Sequence, residues 1–261
     1  MNEWGGKGRQ LDSVEAAIEA TTNYYTIYDT LSHHLDVVVA DPCQTKAIGS
    51  AEVKNDRLDA KLLAQLRRAG MIAESYVSPD EIRERRALVR GRKRLVEKRT
   101  DFKNEVHAVL DHHGIEYSWS QFSKEGREIL AGEDLSLGIV GESLIESYLA
   151  VIDELTDQIQ RLEDVIEDYA ASPPETQLLM TIPGVSFYSS LLITAEIGEI
   201  DRFDAAKQVV SYANLDPVVR ESPDSRTEGN ISKHGSGDLR WILVQCTNVV
   251  CMYTLETSSK E

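Results

Sequence analysis

An α/β front followed by two mostly helical regions is the architecture this sequence predicts, and three observations predict it. The run DVVVADP at 36–42 is short, β-branched and closed by a proline, as suits a central strand. Leu88, Leu95, Phe102 and Val109 recur every seven residues in a long basic stretch. From Ile145 to Tyr169 apolar residues alternate spacings of three and four, a heptad seam that argues for a coiled coil. The implied divisions are 1–78, 79–172 and 173–261.

Taken in order, Val14, Ala16 and Ile18 alternate as on a strand with one buried face. A helical pattern runs from about Asn23 to His34, and the β-branched strand follows. Residues 56–69 read as a helix with Leu58, Leu62, Leu63 and Leu66 on one side. Ser78-Pro79-Asp80-Glu81 opens a long helix over 79–111, with proline in the first turn and acids near its positive end. A second long helix covers 142–170 and ends at Ser172-Pro173-Pro174. The two could pair with each other or with another subunit, since an apolar seam does not name its partner. The rest reads as helices broken at Thr181–Val185 and Gly198, then a polar loop over 216–237 and a closing helix from Asp238 to about Tyr253.

Composition narrows the function classes. The formal charge of −16 argues against a nucleic-acid partner taken as a total, because phosphate binding needs Lys and Arg. Distribution matters more. Between Ile82 and Asn104 ten basic residues meet three acidic ones, a local +7 that leaves −23 on the remainder. Arg83, Arg86, Arg90, Arg92, Lys93, Arg94, Arg99 and Lys103 are the candidates for holding a nucleic-acid backbone. An ordinary acidic protein with a solvated basic helix explains the same pattern equally well. Cys43, Cys246 and Cys251 are widely spaced and show neither a disulfide framework nor a zinc spacing, which fits a reducing cytoplasmic setting. No signal peptide or long apolar run appears, so no membrane partner is expected.

Three constellations carry chemistry. Glu19 ends a predicted strand, and Asp56 and Asp59 share a face at a helix start. Oxygen ligands brought together this way suit Mg2+, although a capping aspartate and a first-turn acid account for the pair at the helix start just as simply. Ile182-Pro183-Gly184-Val185 joins two apolar helices in the manner of a helix-hairpin-helix, in which backbone N–H groups around the turn glycine, here Gly184, contact phosphates. A plain turn between packed helices is the other reading. The loop over 216–240 gathers Ser222, Ser225 and Ser232 with Arg220, Arg226, Lys233, His234 and Arg240. A serine there could attack a phosphodiester, with the Arg and Lys side chains stabilising the developing charge, and Lys233 and Arg240 are the loop's candidates for holding nucleic acid. A solvated loop has the same composition. His33-His34 and His112-His113 read as surface residues, and Trp4, Trp119 and Trp241 as packing.

The runs IEATTNYYTIYDTL, VVVADPCQTKAI and KNDRLDAKLLAQLRRAG resemble the N-terminal domain of DEDD-type insertion-sequence transposases. SYVSPDEIRERRALVRGRKRLVEKRTDFKNEVHAVL resembles their basic helix. TIPGVSFYSSLLITAEIGEIDRF, YANLDP and GNISKHGSGDLRWILVQ resemble their second conserved domain, and the likeness runs in order over about 14–255. It implies a RuvC-like (RNase H-type) domain with four acids, a coiled-coil stalk and a C-terminal domain bearing a serine. Glu19 then matches the second acid, Asp56 the third and Asp59 the fourth, holding Mg2+. The serine seven residues before the glycine of the GxISK motif is Ser222, counted from Gly229. Family members usually have Ser-Gly there, whereas this chain has Ser222-Pro223, and Ser225 is the weaker alternative.

The resemblance also implies partners: DNA, in some members a structured guide RNA (the bridge RNA), and further copies of the chain, as dimer or tetramer through the coiled coil. Family members begin with a strand carrying the first acid and two more strands before the Glu19 segment, where this chain has about a dozen residues. The expectation is therefore an N-terminally truncated, impaired catalyst. Two other readings stand beside it. One is a non-catalytic nucleic-acid-binding remnant that pairs with full-length copies. The other is a RuvC-like nuclease that cuts without rejoining.

Overall fold

The structure, a computed structural model, describes residues 14–42, 44–45, 56–132, 135–215, 217–222, 225–231 and 235–258. Side chains at 56, 217–231 and 253–258 are outside the description. The chain divides into two compact units, Met1–Pro79 and Asp80–Glu261.

In the front unit β1 (Glu15–Glu19) lies parallel to β2 (Asp36–Ala40), with Glu15 opposite Asp36 and Glu19 opposite Ala40. Parallel strands need a crossover, and α1 (Tyr24–Ser32) supplies it. The β-branched run does form a strand, with Val38, Val39 and Ala40 buried, but the described sheet has two strands, so it is not a central one. On the edge of β2 away from β1, Asp41 N–H donates to the Ala73 carbonyl at 2.9 Å and Ser75 N–H to that of Val39 at 2.7 Å. The helix α2 (Asp56–Arg68) packs on β1, and Leu66 of its leucine stripe is buried. Leu58, in its first turn, is exposed instead. Near the end of α2, Arg67 reaches Glu15 at 3.0 Å, Asp36 at 2.9 Å and Glu74 at 3.4 Å, tying the starts of both strands to the segment beside β2.

The second unit is built on two long helices, α3 (Asp80–His112) and α5 (Gly138–Ala170), with the short α4 (Lys124–Leu130) between them in sequence. They run antiparallel: Arg92 meets Glu163, Arg99 meets Thr156 and Phe102 meets Tyr148. The seam that could have served another subunit is thus used within the chain. On α5 the buried line is Ile145, Ile152, Ile159 and Ile166, spaced by sevens as the sequence indicates. On α3 the buried residues are Val89, Val106, Val109 and Leu110, not the full Leu88, Leu95, Phe102 series. The reason is that α3 faces α5 on one side and α7 (Phe187–Ile197) on the other, so one heptad line cannot serve both neighbours.

Two cores sit at the two ends of this helix pair. One gathers Val106, Leu110, Leu130, Leu137 and Ile145 beneath α4. The sequence reading had no helix there; α4 is short, and the Ser123 hydroxyl caps it by accepting from Gly126 N–H at 3.0 Å. The other core joins Val89 and Ile166 to Leu191, Leu192, Leu239 and Ile242. It is completed by α6 (Pro174–Met180), α7, α8 (Ala206–Tyr212) and α9 (Gly237–Ser258). Between α8 and α9 the expected polar loop is a β-hairpin, β3 (Pro217–Ser222) antiparallel to β4 (Ser225–Ile231). Its strands are mostly polar, so no alternating apolar face announces them. No described helix is long and apolar enough to cross a membrane.

Candidate active site and nucleic-acid interface

Glu19 is the last residue of β1, half-buried at the carboxyl end of the parallel pair, the edge where ligands of α/β sheets bind. Asp56 opens α2, but its side chain lies outside the described residues. Asp59 stands one turn in and is exposed. Among the described residues no three His, Cys, Asp or Glu side chains converge as a metal site. One further acid shares the strand-end edge: Asp41 follows β2 directly, and its carboxylate accepts from Gln44 N–H at 3.1 Å. The signal for it was an acid immediately after the β-branched run.

The basic helix is mostly turned inward. Arg86 donates to the carbonyls of Ala195 at 2.6 Å and Glu196 at 3.1 Å, closing the last turn of α7. Arg90 donates twice to the Glu196 carboxylate, at 2.7 and 2.8 Å. Arg92 bonds Glu163 and stacks 4.3 Å over the Tyr188 ring. Lys93 pairs with Asp238 and lies 5.1 Å over Trp241. Arg83 pairs with Asp80 at 3.0 Å. Exposed Arg94 bonds the Arg90 carbonyl at 3.3 Å. Arg99 and Lys103, further along, meet Thr156 and the Phe122 ring.

Titration follows these partners. Burial lowers the Lys93 amine, but the hydrogen bond and charge of Asp238, with Glu97, outweigh it and raise the group overall. Burial, then the charges of Arg99 and Arg127, push Lys103 below the usual lysine range. Burial raises the Tyr188 phenol to about 12 against the opposing pull of Arg92.

Glu196 is the centre of the second unit's polar network. It is 1% exposed, and a buried carboxylate needs donors. Besides Arg90, the Ser236 hydroxyl donates to it at 2.7 Å, and Ser236 in turn accepts from Leu239 N–H at 3.1 Å at the start of α9. The Tyr212 hydroxyl donates to the Glu196 carbonyl at 3.2 Å. Gly235 lies so close to the Tyr212 carbonyl and the Asn214 amide that any Cβ would collide. Both ends of the segment carrying β3 and β4 are thereby tied down.

Ser222 is the last residue of β3, opposite Ser225 in β4. Their side chains, with those of Arg220 and Arg226, and the whole of Ser232, Lys233 and His234 lie outside the described residues. Arg240, in the first turn of α9, has a buried Nη1 without a hydrogen-bond partner among the described residues. Gly184 has φ +83°, and a Cβ there would stand 2.8 Å from Val249 on α9. The turn glycine therefore has a packing reason. His33, His34, His112 and His113 are exposed, and Trp119 packs in the core under α4.

Comparison with known proteins shows what the chain is similar to. A family profile described as "Transposase", of the DEDD IS110 type, matches residues 1–115. A second, "Transposase IS116/IS110/IS902 family", matches residues 176–260. The chain thus carries two IS110/IS116 family transposase domains. Among its relatives, the transposase for insertion sequence element IS1111A of Coxiella burnetii is 25% identical over 212 residues, 80% of this chain and 58% of that protein. The transposase for insertion sequence element IS1328 of Yersinia enterocolitica is 26% identical over 208 residues, 79% of this chain and 61% of that protein. A probable family 20 transposase of Pseudomonas aeruginosa is 24% identical, covering 76% and 59%. The chain thus spans a little over half the length of these curated relatives.

Proposed function

We propose that the chain acts on DNA as an insertion-sequence transposase, cutting and rejoining strands by phosphoryl transfer with Ser222 as nucleophile. The observation that carries the reading is the presence, in order, of both transposase family segments, the second containing the serine hairpin. In this reading the Ser222 hydroxyl attacks a backbone phosphorus. A Ser–O–P bond forms as the hydroxyl gives up its proton, the bond to the leaving sugar oxygen breaks, and that oxygen takes up a proton in turn. In the same reading Arg240, whose Nη1 is buried without a described partner, would steady the extra negative charge.

The front unit is read as part of a RuvC-like domain, with Glu19, Asp56 and Asp59 as the carboxylates that would hold Mg2+. Their support is placement: a strand end and the first turn of a helix packed on that strand, all hard oxygen donors. A divalent ion bound there would act as a Lewis acid on a phosphoryl oxygen. Lys233 and the outward cations of α3 belong to the DNA-holding surface, and a structured guide RNA and a homo-oligomer belong to the same proposal.

The test is a strand-cleavage and strand-joining assay on the purified chain with insertion-sequence end DNA and magnesium. Ser222→Ala should abolish joining. Joining that persists in that variant refutes the serine role. Cutting that persists without any joining favours the nuclease reading, and DNA binding without magnesium-dependent cutting favours the remnant.

A further inference from the structure

The cations of α3 divide by partner. In its first half Arg85, Arg90, Arg92 and Lys93 each meet a carboxylate, from Glu175, Glu196, Glu163 and Asp238 respectively. Two turns on, Arg99 reaches a neutral hydroxyl, Thr156, at 3.3 Å. Lys103, one turn further, lies 4.8 Å over the Phe122 ring and is paired with no carboxylate among the described residues. Arg127 on α4 joins them, held by Asp153 at 2.8 Å. Asp153 and Thr156 are three residues apart on α5, so one face of that helix holds both guanidinium groups. The amine of Lys103 is depressed by burial and by the charges of Arg99 and Arg127, which places the three cations within electrostatic reach of one another. Among the described residues the three positive groups therefore share one carboxylate, in a chain of net charge −16. Like charges held together are unfavourable until an anion joins them, and guanidinium and ammonium groups bind phosphate oxygens through short, charge-assisted hydrogen bonds.

We infer that Arg99, Lys103 and Arg127 form a binding site for the phosphodiester backbone of a nucleic-acid duplex. The inference rests on the nucleic-acid reading above and sharpens it: it selects two of the cations on α3 and adds one from α4 that the basic stripe does not contain. The site sits on packed helices and holds charge, not bases, so it positions a duplex without reading its sequence.

The experiment is fluorescence anisotropy of the full chain on a DNA duplex and on an RNA duplex of the same sequence, across a salt series. Each phosphate contact contributes about 0.9 to the slope of log K against log salt for B-DNA, so Arg99→Gln/Lys103→Gln/Arg127→Gln should flatten the slope by about 2.7. Lys103→Gln alone, which removes no ion pair among the described residues, should flatten it by about 0.9 and decides the matter should the triple variant unfold. Lys207→Gln, an exposed cation on α8, should leave it unchanged. An effect on one duplex only identifies the nucleic acid this site takes. Wild-type binding with an unaltered slope in the variants overturns the inference alone. Failure of the wild type to bind either duplex overturns the nucleic-acid reading itself.

Discussion

Arg90 closes a two-point hydrogen-bonded pair on Glu196, joining the long basic helix to the end of α7 at a carboxylate that is 1% exposed. The same carboxylate takes the Ser236 hydroxyl and so fixes the start of α9, just beyond the serine hairpin. Removing one partner of such a pair leaves a buried charge uncompensated. Arg90→Ala should destabilise the second unit by about 3 kcal/mol, the low end for a broken buried pair, because Ser236 still donates. Urea unfolding followed by circular dichroism measures this, and a loss under ~1 kcal/mol would show the pair to be a screened surface bridge.

Gly184→Ala should cost about 1–2 kcal/mol, the range for a side chain forced into the left-handed region. Its positive φ and the 2.8 Å approach to Val249 both act against a methyl group. Adding Val249→Ala should recover the steric part, giving a double variant more stable than the two single losses predict. Strict additivity in chemical unfolding would place the whole cost in the backbone.

The long helix pair predicts an asymmetry along one sequence seam. Ile152→Ala should cost about 2–5 kcal/mol, as for a buried aliphatic truncation, since Ile152 is 2% exposed. Tyr169→Ala, at a residue 42% exposed near the end of the same seam, should cost less than about 1 kcal/mol. Equal losses in urea midpoints would mean that the seam is covered along its whole length.

Alkaline pH should weaken the second unit through Tyr188. Its folded phenol holds its proton to about 12, above the ordinary value of 10.0. The unfolded tyrosine ionises first, so stability present below pH 10 falls as pH rises toward 12. Tyr188→Phe should flatten that part of the decline in a urea-midpoint series from pH 9 to pH 12. A decline identical to wild type would assign the loss to other groups.

Much of the fold was legible because it rests on periodicity. The β-branched run at 37–39 became the buried strand β2, and the isoleucine line on α5 became that helix's buried face. The hairpin over 217–231 was not legible, since backbone pairing holds polar strands that carry no apolar alternation. The helix at 124–130 was missed because seven residues are too few to show a period. For the site, the sequence found the basic helix but could not show that Arg86, Arg90, Arg92 and Lys93 are occupied by α5, α7 and α9. Charge along a chain does not say where the opposing charge lies after folding. Arg127, isolated between acids in the sequence, became visible only when α4 brought it to Asp153.

The role of Ser222 is tested most directly by trapping the protein on a DNA substrate with magnesium, digesting it and mapping any nucleotide-linked peptide by mass spectrometry. The account predicts a phosphodiester adduct on the Ser222 oxygen that requires both DNA and the divalent ion. An adduct on another residue, or strand joining that continues with Ser222 replaced by alanine, would contradict it.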